Sequence, residues 1–235
     1  SPRSKSSISM SGFPKRRLIQ TLALEDVEKT APVNLNYLLW RNPENLRTRS
    51  ILALGFNPSD SLLLNKGFSE KAYKLNNPGR VFFDKLSRPE FGPIEEWFLS
   101  NQKVETEVAG KRVIVEGLVE LGPSFGADGN LITSRETFLN LFPANPKGSI
   151  EIGLVKIREG SSPELISKIL KKSLPNDVRV LTKGEFIEFE KNYWKNSTAI
   201  GFIFSLGALM GFVVGCVVVY QILYSDVTDH LPEYA

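Results

Sequence analysis

The sequence predicts an α+β protein whose chain runs, near its end, into a membrane-crossing helix. Three patterns carry that expectation. From Asn196 to Ser225 no residue is charged, a run longer than soluble helices usually keep. In the middle of the chain Val104, Thr106 and Val108, then Val113, Val115, Val119 and Leu121, alternate at the period of a strand. Further on, Ser161-Ser162-Pro163-Glu164 opens a stretch in which Leu165, Ile166, Ile169 and Leu170 recur at helical spacing.

Taken in order, residues 1–17 are Ser-rich, carry Lys and Arg, and are expected to be a flexible leader. Leu18, Leu22, Leu24 and Val27 then suggest a helix ended by Pro32, followed by strands around Val33 to Trp40 and Ser50 to Phe56. Loop signals at Asn77-Pro78-Gly79 and Asn145-Pro146-Lys147-Gly148 bracket a β-rich insertion over 81–148, leaving 18–80 and 149–181 as the two parts of one unit. Within the insertion the alternation breaks at Ala109-Gly110, as in a hairpin with a tight turn. Ile150, Ile152 and Leu154 alternate along one strand, and the helix opened at Ser161 is closed by Pro175. Val178 and Val180 suggest a second strand, so 149–181 reads as a βαβ unit with a parallel pair.

Thr182 and Glu185 have capping-box spacing, which starts a helix. No proline follows until Pro232, so a stalk over 182–198 can continue unbroken into a span over 199–224, with 225–235 emerging beyond it. The apolar centre, Ala199 to Tyr220, has 22 residues, about 33 Å of helix against a hydrocarbon core of about 30 Å. Tyr193 and Trp194 at one end, and Tyr220 and Tyr224 at the other, suit the headgroup interface. Phe186, Phe189 and Tyr193 give the stalk an apolar stripe. Gly207, Gly211 and Gly215 share one helix face, the pattern of close helix packing in lipid, although glycine is also simply common in membrane helices. Cys216 lies within the span and reads as a packing residue.

The 235 residues, 42% hydrophobic and 23% charged, suit one or two globular domains besides the span. A net charge of +3 does not favour nucleic acid as a partner. One Cys and one His leave out disulfide frameworks and most Cys- or His-based metal and catalytic sites. No catalytic, cofactor-binding or metal-binding set is expected. There is no GxxxxGK[ST] loop, so ATP use would come from a partner. Gly122, Gly126 and Gly129 could form an anion loop or only a turn. Glu95-Glu96 and Glu105/Glu107 read as a solvated acidic face rather than a catalytic pair, and His230 as a surface residue. Without an initiator Met or signal peptide at Ser1, the chain is expected to be an excerpt.

The stretch Val219-Tyr220-Gln221-Ile222-Leu223-Tyr224-Ser225-Asp226-Val227-Thr228-Asp229-His230-Leu231-Pro232-Glu233-Tyr234-Ala235 resembles the second membrane helix and following turn of the DevC-type permeases, membrane subunits of cyanobacterial ABC exporters. Leu22 to Val27, Trp40-Arg41-Asn42-Pro43, Ser87 to Pro93, Asp128 to Ile132 and Leu181 to Trp194 agree in the same order, so the resemblance covers nearly the whole chain. DevC-type chains are similar to the MacB and FtsX permeases. The resemblance implies a large periplasmic domain, an α/β porter-like part interrupted by a β-rich sabre-like part, between two of the helices of a multi-pass inner-membrane protein. It also implies a DevA-type ATPase, a DevB-type membrane-fusion adaptor, a TolC-like outer-membrane duct, a second permease copy, and export of glycolipid or another amphiphile, with ATP-driven motion transmitted along the stalk. The other membrane helices of such a permease are not in this sequence. Lys191 and Lys195 on the domain side, against Asp226, Asp229 and Glu233, would alone place the domain in the cytoplasm, whereas the resemblance places it in the periplasm. Two other readings are a tail-anchored protein with a soluble partner-binding domain, and an anchored enzyme using clustered carboxylates or hydroxyls.

Overall fold

Ala109 and Gly110 both have positive φ, 50° and 73°. That geometry lets a two-residue turn follow the right-handed twist of its strands. β5 (Glu105–Val108) and β6 (Lys111–Val119) therefore pair antiparallel, as the alternation predicts. Ala is a poor residue for the first turn position, where Asn tolerates the left-handed region better. Ala109→Asn should stabilise the protein by about 0.5–1 kcal/mol, seen as a rise of a few degrees in thermal unfolding. A fall would mean that the turn is held by something other than its own backbone preference.

The hairpin belongs to a larger sheet, in a computed structural model that describes residues 12–60, 71–124, 126–146, 148–196 and 199–230. The chain divides into two units, Ser1–Thr182 and Lys183–Ala235. In the first, β2 (Val27–Arg41) pairs antiparallel with β3 (Thr48–Phe56), which runs parallel to β7 (Asn130–Ser134). β7 is antiparallel to β4 (Arg80–Asp84), and β4 is parallel to β6. β5 then returns to β2 at the pair Trp40↔Val108, so six strands close into a ring. The seventh, β9 (Ile152–Ile157), pairs antiparallel with the first half of β2.

Strands from all three expected parts, 18–80, 81–148 and 149–181, thus share this one sheet. One face gathers Leu38, Trp40, Ile51, Ala53, Val81, Phe83, Val113, Val115 and Leu131. Phe91 of the short helical turn Pro89–Phe91, Ile94 of α2 (Ile94–Leu99) and Phe138 of α3 (Arg135–Leu141) pack against them. The opposite face carries Val33, Phe56, Phe82, Val119 and Ile132 with Leu75. A register shift between Val81 and Phe82 moves β6 from one face to the other. Val113 and Val115 therefore join the first cluster and Val119 the second, while Leu121 lies exposed beyond the strand.

Several sequence expectations are corrected here. The helix begun near Leu18 stops early: α1 is Arg16–Gln20, a tighter turn follows over Thr21–Ala23, and Leu24 is already extended. Val27, Thr30 and Val33 suit a strand, and Pro32 sits inside β2 opposite Gly153, one residue before β2 exchanges β9 for β3 as its partner. Of the expected leader, Phe13–Pro14 forms β1, paired with β8 (Ser149–Ile150), and Arg17 bonds Asp177 at 2.9 Å. Residues 1–11 lie outside the described residues. The βαβ unit does not form: β9 pairs with β2, and Val178–Val180 belongs to no strand. Helix α4 (Pro163–Ser173), capped by the Ser162 hydroxyl, buries Ile166, Ser167 and Leu170, whereas Leu165 and Ile169 of the expected stripe are exposed.

The second unit consists of α5 (Lys183–Asn196) and α6 (Ala199–His230). The junction at 197 and 198, on which an unbroken stalk and span depends, lies outside the described residues.

Candidate functional site

α6 collects the residues that the sequence assigns to the membrane. Its 32 residues measure about 48 Å at 1.5 Å each. Phe202–Thr228 is long and apolar enough to cross a bilayer, with a mean hydropathy of 2.5 and none of its most apolar stretch buried. The helix outruns the span expected to end at Tyr224. Ser225–His230 continues it, with no Gly or Pro to stop it and the Thr228 hydroxyl bonded to the Tyr224 carbonyl at 2.7 Å. The expected non-membrane segment 225–235 thus begins as helix, and 231–235 lies outside the described residues.

On this helix Gly207, Gly211 and Gly215 line up four residues apart. A Cβ built at any of them meets no atom within 4 Å, so among the described residues nothing packs on this face. Tyr220 and Tyr224 stack, ring centres 6.0 Å apart. Tyr193 and Trp194 lie in α5, which begins at Lys183 and so puts Thr182 at the capping position and Glu185 three residues on. His230 is the last described residue of α6.

In the first unit, the loops leaving β2, β4 and β6 are bound into one cluster. Its centre is Asp84, a fully buried carboxylate at the end of β4. Asp84 Oδ1 accepts the Leu86 and Leu121 amides at 3.2 and 3.0 Å, and Oδ2 accepts the Gly122 amide at 2.9 Å and Asn130 Nδ2 at 2.8 Å. The glycine-rich stretch is thus anchored at Gly122 by the protein's own anion. Gly122 has φ of 83°, the left-handed conformation that glycine adopts without strain. At Gly129 a Cβ would come within 2.7 Å of the Phe91 ring. Gly126 accepts the Tyr37 hydroxyl on its carbonyl. Burial, with the nearby Asp128 charge second, pushes the Tyr37 hydroxyl pKa above its ordinary value. Asp84 gave no sequence signal, because nothing local distinguishes it from a surface aspartate.

Beside this anchor Arg49 donates to Asp128 Oδ2 at 2.6 Å, lies 3.6 Å from Glu90, and stands 5.7 Å above the Phe91 ring. Arg88 Nε meets the other Asp128 oxygen at 2.9 Å. The Arg49 hydrogen bond, with both guanidinium charges, holds the Asp128 carboxyl below its usual range against the opposing cost of burial. A depressed carboxyl pKa adds stability that is complete above the unfolded value of about 3.9 and is lost as pH falls through the folded one. Asp128→Asn should therefore lower the unfolding temperature at pH 7 slightly, the ion pair being one-third exposed. The two proteins should begin to converge as pH falls below about 4 and meet once it has passed the lowered folded value. Parallel curves across that range would remove Asp128 from the acid response.

Of the acidic residues singled out in the sequence, Glu95, Glu105 and Glu107 face cations. Glu95 is 3.9 Å from Lys85, Glu107 is 2.9 Å from Arg41, and Glu105 meets Lys103 and Arg112. Among the described residues no cluster of three or more His, Cys, Asp or Glu side chains suited to a metal is present.

No family model matches the chain, and no curated protein matches it. Solved structures do. The extracellular domain of the ABC-type transporter YknZ from Gram-positive bacteria superposes with a TM-score of 0.50 at 12% identity, over 73% of this chain and 90% of that one. The periplasmic region of MacB from Actinobacillus actinomycetemcomitans gives 0.45 at 11%, over 69% and 74%. A domain of a putative permease from Porphyromonas gingivalis gives 0.39 at 14%, over 71% of each. The chain is a mixed α/β protein with a large sheet and, among the described residues, one helix apolar and long enough to cross a membrane, and its fold is similar to that of the YknZ extracellular domain.

Proposed function

We propose that this chain is the periplasmic domain and one membrane helix of an ABC exporter permease of the MacB/FtsX type. What supports the reading is the joining, in one chain, of a soluble α/β unit similar in fold to a transporter's extracellular domain with a bare apolar helix of spanning length. In it the permease is not an enzyme. A separate ATPase of the DevA type hydrolyses ATP, and α5 and α6 carry the resulting motion outward. A DevB-type adaptor and a TolC-like duct receive a glycolipid or another amphiphile. The large domain faces the periplasm of a multi-pass inner-membrane protein that works as a pair of copies.

The test is reconstitution of the full-length gene product with its genomic neighbours in liposomes, following ATP-dependent movement of a fluorescent amphiphile. Movement that needs both ATP and this chain upholds the proposal. A gene that encodes no other membrane span would favour a tail-anchored protein instead. In the working exporter, leucine at Gly207, Gly211 and Gly215 together should abolish pairing of the two copies or cut export severely, because it adds side chains where backbones meet. Unchanged pairing and export would show that this face looks onto lipid.

A further inference from the structure

Helical spacing puts Leu165, Lys168, Ile169 and Lys172 of α4 on one face, away from the buried Ile166 and Leu170. Leu165 is 58% exposed and Ile169 38%. Ile19 of α1 and Leu22 of the turn after it are 55% and 48% exposed. These two stretches are tied to each other at both ends. Ser161, just ahead of α4, donates its hydroxyl to Asp26 at 2.8 Å, and Arg17 meets Asp177, just beyond α4, at 2.9 Å. The four apolar residues therefore belong to one region of the surface. Both of those carboxylates are engaged by the ties, whereas Lys168 and Lys172 are exposed and have no ion-pair partner among the described residues.

Aliphatic side chains interleaved with unpaired lysines suit the surface of an anionic bilayer. The apolar groups enter the headgroup boundary, and the lysine stems lie along it with their ammonium groups at the phosphates. A second copy suits this face less, because a symmetric contact would set one positive surface against another. A bilayer is also at hand, since residues 174–182 alone join α4 to α5, and α6 of the same chain is of spanning length. Such a tether raises the effective concentration of the surface, so weak contacts suffice. We propose that the region made by α4 and residues 19–22 rests on an anionic bilayer, with Ile19, Leu22, Leu165 and Ile169 at the headgroup boundary and Lys168 and Lys172 at lipid phosphates. The proposal rests on α6 crossing a membrane and on no other part of the permease reading.

The test uses the full chain in nanodiscs of zwitterionic phosphatidylcholine, with or without anionic phosphatidylglycerol. An environment-sensitive fluorophore is placed on the native Cys216 or, in a Cys216→Ser background, on Ser173→Cys, one turn beyond Ile169, and nitroxide lipids serve as quenchers. Quenching of the residue 173 label by headgroup-level nitroxides should grow with phosphatidylglycerol and fall in high salt. Lys168→Glu together with Lys172→Glu should weaken that contact by about tenfold or more, with far-UV circular dichroism unchanged. Leu165→Ser together with Ile169→Ser should weaken it in both lipids. A residue 173 label that stays in water while Cys216 is quenched at mid-bilayer would overturn this proposal alone, and a Cys216 label in water would remove the span and the proposal together. Quenching indifferent to phosphatidylglycerol and to the lysine reversals would also overturn it. So would quenching lost at one chain per disc, which would mean that a second copy covers the face.

Discussion

Replacing Asp84 with Ala should lower stability by about 4 kcal/mol, or roughly 8–16 °C in unfolding temperature for a domain of this size. Four donors converge on that carboxylate, two main-chain amides on one oxygen and an amide and the Asn130 side chain on the other. Each buried donor left without an acceptor costs about 1–3 kcal/mol, and water entering the loops recovers part of that. Asp84→Asn is the sharper test. Its amide nitrogen must point at one pair of donors, so it keeps about half of the bonds and should lose roughly 2 kcal/mol. Calorimetry of the three proteins, with proteolysis at 121–130 as a local readout, checks the order. An Ala variant within about 1 kcal/mol of the parent would mean that the loops hold themselves.

The parts legible in the sequence were those set by local rules. The turn at Ala109-Gly110 needs only backbone twist, the Ser162 cap only a hydroxyl ahead of a free amide, and α6 only an uncharged run of sufficient length. What failed depended on partners distant in the chain. β2 exchanges partners between Val33 and Asn34, and Glu151 marks the exchange. Its buried carboxylate accepts Asn34 Nδ2 at 2.9 Å and the Leu35 amide at 3.0 Å, in place of a neighbouring strand. Nothing near Pro32 announces such an exchange, so the proline looked like a helix stop. Val178 and Val180 failed in the opposite sense. Alternation records that one face is apolar, and it does not say whether a strand is there to pair with. The loop cluster was the least legible, because Asp84, Asn130 and Gly122 meet only after β4, β6 and β7 are side by side. The glycines in that loop were visible, but not which anion they would meet.

Two glycines make the same close approach for different reasons, and their variants should behave differently. Gly55 in β3 lies beneath α3, where an added Cβ would stand 2.4 Å from Phe138 Cβ and 2.7 Å from its Cγ. Gly117 in β6 faces Phe82, where an added Cβ would meet the ring atoms Cδ1 and Cε1 at 2.9 Å. Alanine at either position should cost about 1–3 kcal/mol for overpacking, less a few tenths gained from a stiffer unfolded chain. At Gly117 the obstacle is the far part of a side chain, so Phe82→Leu should relieve it. The double variant should then be more stable than the sum of the single effects by about 1 kcal/mol or more. At Gly55 the obstacle is the root of the side chain, which Leu shares with Phe, so Phe138→Leu should leave the penalty in place and the coupling near zero. Relief there could come only by lifting α3. That would strain the bond from the Gly79 amide to the Thr137 hydroxyl at 3.2 Å and the contact of Arg135 Nε with Asn34 Oδ1 at 3.1 Å. Unfolding free energies for the two cycles, measured under the same conditions, decide the matter. Equal coupling in both would show that α3 shifts as easily as a phenyl ring turns, and that it is not the fixed lid on this face of the sheet that the Gly55 contact implies.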